Sequence, residues 1–583
     1  MAPTGKCLSH LSDRERASHC NSISSNRTVS YRGTVVNSEL LQRITHALAG
    51  SGVEEASFDS CVFIGESIRP AQRLTTRLSF ASAIFEGDAR FDRVEFLRDV
   101  EFTGANFRGK AIFERAIFRA VAAFEGVRFS SWADFEDATF AEYATFNNSQ
   151  MRKADFDGVR FKDYAAFGMT SFGHDSSFAR VDFEKIVRFE NATFDGSADF
   201  SQANFSGMAG FEGVKIAGDG NFAGAIFKET PRFGSIRCGR RLDLSNVHFE
   251  NPVLLVLEAR KIALRRTRFT SHASIQATLA EVDMTYAILN QPVDVIGGPI
   301  TLEFATGAIS ERVSLTSLRG VDCAMLTVAN VSLGRCTFSG AVHLDQIRLE
   351  GNWNFEVSPR GYSFSPPFHL TRRQVIAEEK RRRSYSGQYI WSPGSAPIDR
   401  ITPGHGELAI IYRQLRKSRE DAKDEPGAAD FYYGEMEMRR LGRSWKTAER
   451  WLLQLYWLLS GYGLRASRAF GWLALTMMTT ILLMMAFGLP GESPNQRVTG
   501  TVPSQGGKVT FEIEKEDPKN PSRDRFSHAR LQDSVNVTLN SVVFRSSGQD
   551  LTTAGEYIEM TSRFFEPVLL GLAALAIRGR VKR

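Results

Sequence analysis

The chain has 583 residues, long enough for several domains. Charged residues make up 24% and the net charge is +6, a mildly basic balance close to that of an ordinary globular protein. The six cysteines form no Cys-x-x-Cys and pair with no histidine at metal-ligand spacing, which excludes a zinc-ribbon or redox motif and suits a reducing compartment.

Residues 1–32, polar and rich in Ser, Arg, His and Asn, read as a disordered N-terminus without the apolar core of a secretory signal. Residues 33–55 read as a cap. Leu40, Leu41, Ile44 and Leu48 share one face of a short helix able to cover the open end of a β structure.

Residues 56–239 carry the dominant pattern. Phe85, Phe91, Phe96, Phe102, Phe107, Phe113, Phe118, Phe124, Phe129 and Phe135 recur after alternately six and five residues, and the ladder runs on to Phe233 with Met151 and Ile216 each taking a rung. Two residues before the rungs stand small or β-branched residues such as Ala83, Ala89, Val94 and Val100. A helix requires a period of about 3.6 and a flat strand a period of about 2. Here a local spacing of two recurs with each rung, so each unit is one short extended face and one corner. One unit buries almost nothing, so the units stack into a solenoid with the Phe residues inside.

The units Ala105-Asn106-Phe107, Ala133-Asp134-Phe135, Ala154-Asp155-Phe156, Ala198-Asp199-Phe200 and Ala203-Asn204-Phe205 resemble the A-(N/D)-(L/F)-x-x repeat of the pentapeptide-repeat proteins. The resemblance implies a mainly β solenoid, a right-handed quadrilateral β-helix with four faces per coil. The alternation of five and six departs from the family's strict five and gives coils of about 22 residues, stacked about 4.8 Å apart.

The rhythm weakens but persists from 240 to 357, in Leu244, Phe249 and Leu255, in Met284, Leu289 and Val295, and in Leu333, Phe338, Leu344, Leu349 and Phe355. It reads as a degenerate continuation of the β-helix; the competing reading is a separate all-β domain. Residues 358–404 read as a linker, with Pro359, Pro366, Pro367, Pro393 and Pro403. Its basic run Lys380-Arg381-Arg382-Arg383 is either a solvated charge run or a contact for anionic lipid headgroups.

Residues 405–465 read as a helical hairpin, Glu407 to Ala422 and Ala428 to Leu441, followed by an amphipathic neck. Tyr412 to Lys417 and Phe431 to Arg440 resemble a motif found beside the membrane segments of pentapeptide-repeat membrane proteins. Physically they are an aromatic stripe flanked by charges, the pattern of a helix-pair core with i,i+4 ion pairs. Trp451, Leu452, Leu455, Tyr456 and Trp457 suit a membrane interface.

Residues 466–489 form the first transmembrane helix, and 564–577 a second and shorter one with Glu566 and Pro567 near its start. Arg439, Arg440, Arg443, Lys446, Arg450, Arg465 and Arg468 precede the first, and the basic tail 578–583 follows the second. The positive-inside rule then puts both termini in the cytosol, at the plasma membrane, with 490–563 as an extracytoplasmic loop.

No H-E-x-x-H, Walker A, G-x-S-x-G or G-x-G-x-x-G occurs, so neither catalysis, a cofactor nor a bound metal is expected. The repeat itself places Asp134, Glu136, Asp155, Asp157 and Asp199, as outward-facing corner residues. Some pentapeptide-repeat proteins mimic DNA and bind type II topoisomerases. Residues 51–240 hold about 28 acids against about 23 bases, and Arg90, Arg93, Arg98 and Arg115 interrupt any negative face, so no nucleic-acid-like role is expected. Between the spans, the segment Asp533 to Arg545 and then Gly548, Asp550, Leu551 and Thr552 follow the order of a two-span potassium-channel pore, but T-x-G-Y-G is missing. The expected role is a membrane-anchored scaffold whose partners are the lipid bilayer and a protein the sequence does not name, in an oligomeric state it does not fix. A channel-like protein with a cytosolic β-helix sensor is the alternative, and a topoisomerase-binding DNA mimic the weaker one.

Overall fold

The computed structural model describes residues 27–49, 51–298, 313–358, 373–385, 403–491, 496–501, 508–515, 517–543 and 550–581, with a few isolated positions elsewhere. The chain divides into two units, Met1–Pro403 and Gly404–Arg583.

The first unit is the predicted solenoid, about 13 turns long. Each full coil of the Phe-rich part contributes four short strands. In one coil these are Ile84–Phe85, Asp88–Arg90, Glu95–Phe96 and Val100–Glu101. Each pairs in parallel with its counterpart one coil on, as Phe85 with Phe107, Ala89 with Ala111, Phe96 with Phe118 and Val100 with Ala122. The pairing interval is twenty-two residues, which establishes four faces and the five-six alternation together.

The interior is four columns of aromatic rings. Phe80, Phe85, Phe91 and Phe96 stack on Phe102, Phe107, Phe113 and Phe118, with centroids 5.0, 4.5, 4.9 and 4.8 Å apart and planes within 7° of parallel. Neighbouring columns meet edge-on, as Phe91 with Phe102 at 5.6 Å and 79°. Both arrangements satisfy the ring quadrupole. Each buried ring contributes on the order of 1.5–3 kcal/mol before entropy is subtracted.

The corners explain the residues between the rungs. Two residues after Phe80, Phe91, Phe102 and Phe113 the backbone turns left-handed, at Ser82, Arg93, Gly104 and Arg115. Further along the stack, the residue before the Phe caps such a turn. Asp134 Oδ1 accepts from Glu136 N at 3.1 Å, and Asp155, Asp199 and Asn221 repeat the bond. This is the physical role of Asp or Asn at these corners, whereas Asn106 and Asn204 bond the side chains of Ser130 and Asp182. At another corner the coils nearly touch: a Cβ on Gly109 would lie 2.5 Å from the Gly87 carbonyl.

Three results differ from the sequence reading. The solenoid begins at Thr28, inside the stretch expected to be disordered, because Thr28–Ser30 and Val35–Asn37 pair with Glu55–Ser57 and Val62–Ile64. The helix α1 (Ser38–Ala49) follows this first partial coil and buries Leu40, Leu41, Ile44 and Leu48. Second, the stretch after 240 continues the stack with a changed interval. Phe249 pairs with Phe269 and Phe269 with Leu289, an interval of twenty, so the faces of these coils average five residues, whereas Val282 pairs with Leu315 and Val293 with Leu326 across thirty-three and Val328 with Leu349 across twenty-one. Two corners become bulges within continuous strands, Arg232–Asp243 and Val253–Ala263, where the register shifts between Phe233 and Ile236 and between Cys238 and Arg241.

Third, the basic run is a folded helix. Of the expected linker, 359–372 and 386–402 lie outside the described residues, but α2 (Ala377–Tyr385) is formed. Lys380 pairs with Glu356 at 2.8 Å, Arg381 donates to Thr337 Oγ1 at 2.7 Å, Arg382 to the Pro403 carbonyl at 2.9 Å, and Arg383 meets Glu379 at 2.5 Å. These partners replace both readings of the run as exposed charge.

Between them sits Glu378, fully buried. In each coil the rung's N–H donates to a carbonyl one coil on, as Leu264 to Asp283 and Leu318 to Thr337. Phe338 is the next rung of this column, and its N–H, with that of Ser339, donates to Glu378 Oε1 instead. Glu378 takes the place of the next coil, and burial raises its pKa above the ordinary carboxyl range.

Candidate functional site in the helical unit

The second unit opens with a hairpin of α3 (His405–Asp421) and α4 (Glu425–Gly442). Asp424 caps α4 by accepting from Gly427 N at 3.1 Å. Gly434 lets the helices close, since a Cβ there would lie 2.6 Å from the Tyr412 ring. The charges of the aromatic motif are used locally: Glu435 meets Arg439 at 2.6 Å and Arg416 at 3.3 Å.

The rest of the motif builds a buried network against α5 (Ala448–Ser460). Arg440 donates to Glu437 Oε1 at 2.8 Å and to Gln454 Oε1 at 2.6 Å, and lies 4.6 Å from the Trp457 ring centroid. Trp457 Nε1 donates to the Tyr433 hydroxyl at 3.0 Å, and the Tyr462 hydroxyl to Glu437 Oε2 at 3.1 Å. Burial, and then the Glu437 charge, push the Tyr462 hydroxyl far above its ordinary pKa, so it remains a donor. Tyr462 sits in a left-handed turn, Gly461 to Gly463, leading into α6. The network therefore fixes the hairpin to the start of the first apolar helix.

α6 (Ala466–Leu483) runs on to Gly488, and its last turn widens so that Leu489 N donates to Met484 O. α7 (His528–Val543) follows a two-stranded hairpin, Gln496–Thr501 with Thr510–Lys515, and α8 (Thr553–Val581) closes the unit. Ala466–Gly488 and Thr553–Arg578 are long and apolar enough to cross a membrane. The second is longer than the fourteen residues expected. The charges that shortened it in the sequence are paired within the helix, Glu559 with Arg563 at 2.6 Å.

This extension moves Glu566 from the edge of the span to its interior, where it is fully buried. Thr480 of α6 donates to Oε1 at 3.0 Å, and Ser562 of α8 to Oε2 at 2.8 Å. Ser541 of α7 lies 2.7 Å from Ser562 and 3.5 Å from Glu566 Oε2. Ser534 and Thr538 are buried on the same face of α7 as Ser541. The three helices thus meet at one carboxyl and a set of hydroxyls. The signal available in the sequence was Ser534, Thr538 and Ser541 at helical spacing. Arg530 of α7 donates to the Met485, Leu489 and Pro490 carbonyls at 3.0, 2.8 and 3.0 Å, satisfying the end of α6.

Of the pore-like residues, Gly548 lies outside those described. Thr552 caps α8: its Oγ1 donates to the Phe487 carbonyl at 2.6 Å and accepts from Gly555 N at 3.1 Å. Leu551 is buried with Met484, Leu489 and Val537. Asp550 is exposed. Leu551 and Thr552 therefore join the two apolar helices. The ladder residues Phe85 to Phe135 are all buried within the first unit.

Residues 102–150 and 189–237 match the family described as pentapeptide repeats, in nine copies. No curated protein and no solved structure matches the chain. With the four-faced coils, the stacked Phe columns and the Asp/Asn-capped corners, these matches identify pentapeptide repeats within the β-solenoid of the first unit, which is followed in the same chain by two helices able to cross a membrane.

Proposed function

We propose that the chain is a non-enzymatic scaffold anchored in the plasma membrane by α6 and α8, with both termini and the solenoid in the cytosol, where the solenoid faces bind a protein partner. The observation that carries this reading is the packing of two long apolar helices against each other, with Phe470, Leu475, Met478, Phe564 and Leu575 left exposed for lipid. Basic residues before α6 and at the end of α8 support the orientation. The repeat architecture supports binding along the faces. On the solenoid surface, Arg108, Arg115 and Arg119 pair with Glu86, Asp137 and Glu95 at 2.9, 3.4 and 3.0 Å, which argues against a DNA-like negative stripe. A reporter fused after Arg583 should be labelled only in permeabilised cells; labelling of intact cells would refute the orientation.

One observation favours a channel-like reading: α7 packs against both spans with its hydroxyl-bearing face toward Glu566. Planar-bilayer recording separates the two. A selective conductance abolished by Thr552→Val or Asp550→Asn would replace the anchor reading.

A further inference from the structure

Five arginines are buried among the described residues: Arg373, Arg383, Arg419, Arg440 and Arg450. Four meet a carboxylate within 4 Å. Arg373 and Arg383 share Glu379, Arg419 meets Asp424, and Arg440 meets Glu437. Arg450 meets none. It is 5% exposed, and its Nε and Nη1 have no hydrogen-bond partner. Its guanidinium lies 4.4 Å from the Trp445 ring centroid, which offers a face but accepts no in-plane N–H bond.

The surroundings add positive charge. Arg450 is in the first turn of α5, at the positive end of the helix dipole, with its own N–H donating to the Thr447 carbonyl at 3.1 Å. Thr447, at the cap position, makes no capping bond; its hydroxyl donates to the Ser444 carbonyl at 2.8 Å. Glu449, in the same turn, pairs with Arg443 at 3.0 Å. Glu437, the other acid acting on Arg450, is held by Arg440 and Tyr462. Burial, and then Arg440, pull the Arg450 pKa below its ordinary value. A desolvated cation at a helix N-terminus, with each nearby acid already engaged, leaves a place for an anion.

We propose that the N-terminal turn of α5, with Arg450 and Lys446, binds the phosphate of an anionic phospholipid. The proposal rests on the membrane-anchored reading. A lipid is the occupant because the same helix leaves Trp451, Leu452, Leu455 and Leu458 exposed, so one element offers a charged end and an apolar side. Trp445 and Trp451, both exposed, meet edge to face at 5.6 Å beside the turn, an arrangement suited to the headgroup level.

The test uses the full chain purified from membranes in detergent. Phosphatidylglycerol and phosphatidylcholine are supplied in turn, and bound lipid is counted by native mass spectrometry. Wild-type protein should retain phosphatidylglycerol selectively. Arg450→Gln should weaken retention roughly tenfold, and Arg450→Lys less. Lys446→Gln, at an exposed position, should weaken it a few-fold and keeps the test valid if the Arg450 variants misfold. Unchanged phosphatidylglycerol retention in both Arg450→Gln and Lys446→Gln would overturn the site. Displacement of the lipid by millimolar inorganic phosphate would assign the site to soluble phosphate and overturn the lipid. Alkaline carbonate extraction of the same membranes separates the two levels. All variants should stay in the pellet, whereas release of the wild type would refute the anchor itself.

Discussion

Asp134 offers a direct measure of what the regular ladder costs at one position. Its carboxyl is buried at the corner cap, stacked in register under Asp155, with Glu136 and Glu114 nearby. Burial, reinforced by those acids, raises its pKa from 3.8 to about 6. A shift of that size corresponds to about 3 kcal/mol of disfavoured ionisation. Because the folded state holds this proton more tightly than the unfolded chain does, stability falls as pH rises from about 4 to about 6 and is flat above that. Asp134→Asn removes the ionisation and keeps the oxygen that accepts from Glu136 N. The added amide N–H must find a partner, which costs about 1 kcal/mol of the gain. The expected net stabilisation at pH 7.5 is about 1–2 kcal/mol, reversing to a destabilisation of about 1 kcal/mol near pH 3.5, where only the amide cost remains. Urea unfolding of residues 1–403, followed by circular dichroism from pH 3.5 to 7.5, measures it. A mutant no more stable than wild type at pH 7.5, or a gap independent of pH, would refute the reasoning. Asp155→Asn is the companion variant. It recreates the bond in which Asn221 Nδ2 donates to Asp199 Oδ1 at 2.9 Å, and should lower the Asp134 pKa.

Three further outcomes follow from named contacts. Glu378→Ala should destabilise residues 1–403 by about 1–3 kcal/mol in the same assay, because Phe338 N–H loses its acceptor in a buried setting, and Glu378→Gln should cost less. Glu566→Leu, which strips the acceptor from Thr480 and Ser562, should lower the thermal stability of the detergent-solubilised chain by about 1–2 kcal/mol, and Glu566→Gln should restore much of it. Met169 holds a left-handed corner at φ 55° with its side chain in solvent, so Met169→Asn should stabilise residues 1–403 by about 0.5–1 kcal/mol; a loss of stability would show that the side chain is held by contacts.

The solenoid was legible because its code is local and repeated. Each Phe, each small residue and each Asp or Asn states its position within five or six residues of the next, and Met151 and Ile216 could be read as rungs from timing alone. The first coil was missed because Thr28–Ser30 and Val35–Asn37 carry no Phe and gain their strand character from pairing with the coil above. The Lys380 to Arg383 run could not be read, because its partners Glu356 and Thr337 lie about 24 and 44 residues away with no periodic relation to it. In the helical unit, the helices followed from hydropathy. The meeting of Thr480, Ser541, Ser562 and Glu566 did not, because it depends on which faces of three helices are turned together.

A solenoid is a polymer that its own chemistry does not stop. Every finished coil presents the donors and acceptors that template the next, and a second molecule's coil fits that template as well as its own. Glu378 closes one column, by offering its terminal rung an oxygen that belongs to no further coil, while Gln374–Val375 turns antiparallel against Glu356–Val357 beside it. The carboxylate therefore leaves this column no free donor on which a further coil, from the same chain or another, could be templated. Its loss would show in the sedimentation of residues 1–403 as head-to-tail filaments, before it showed as unfolding.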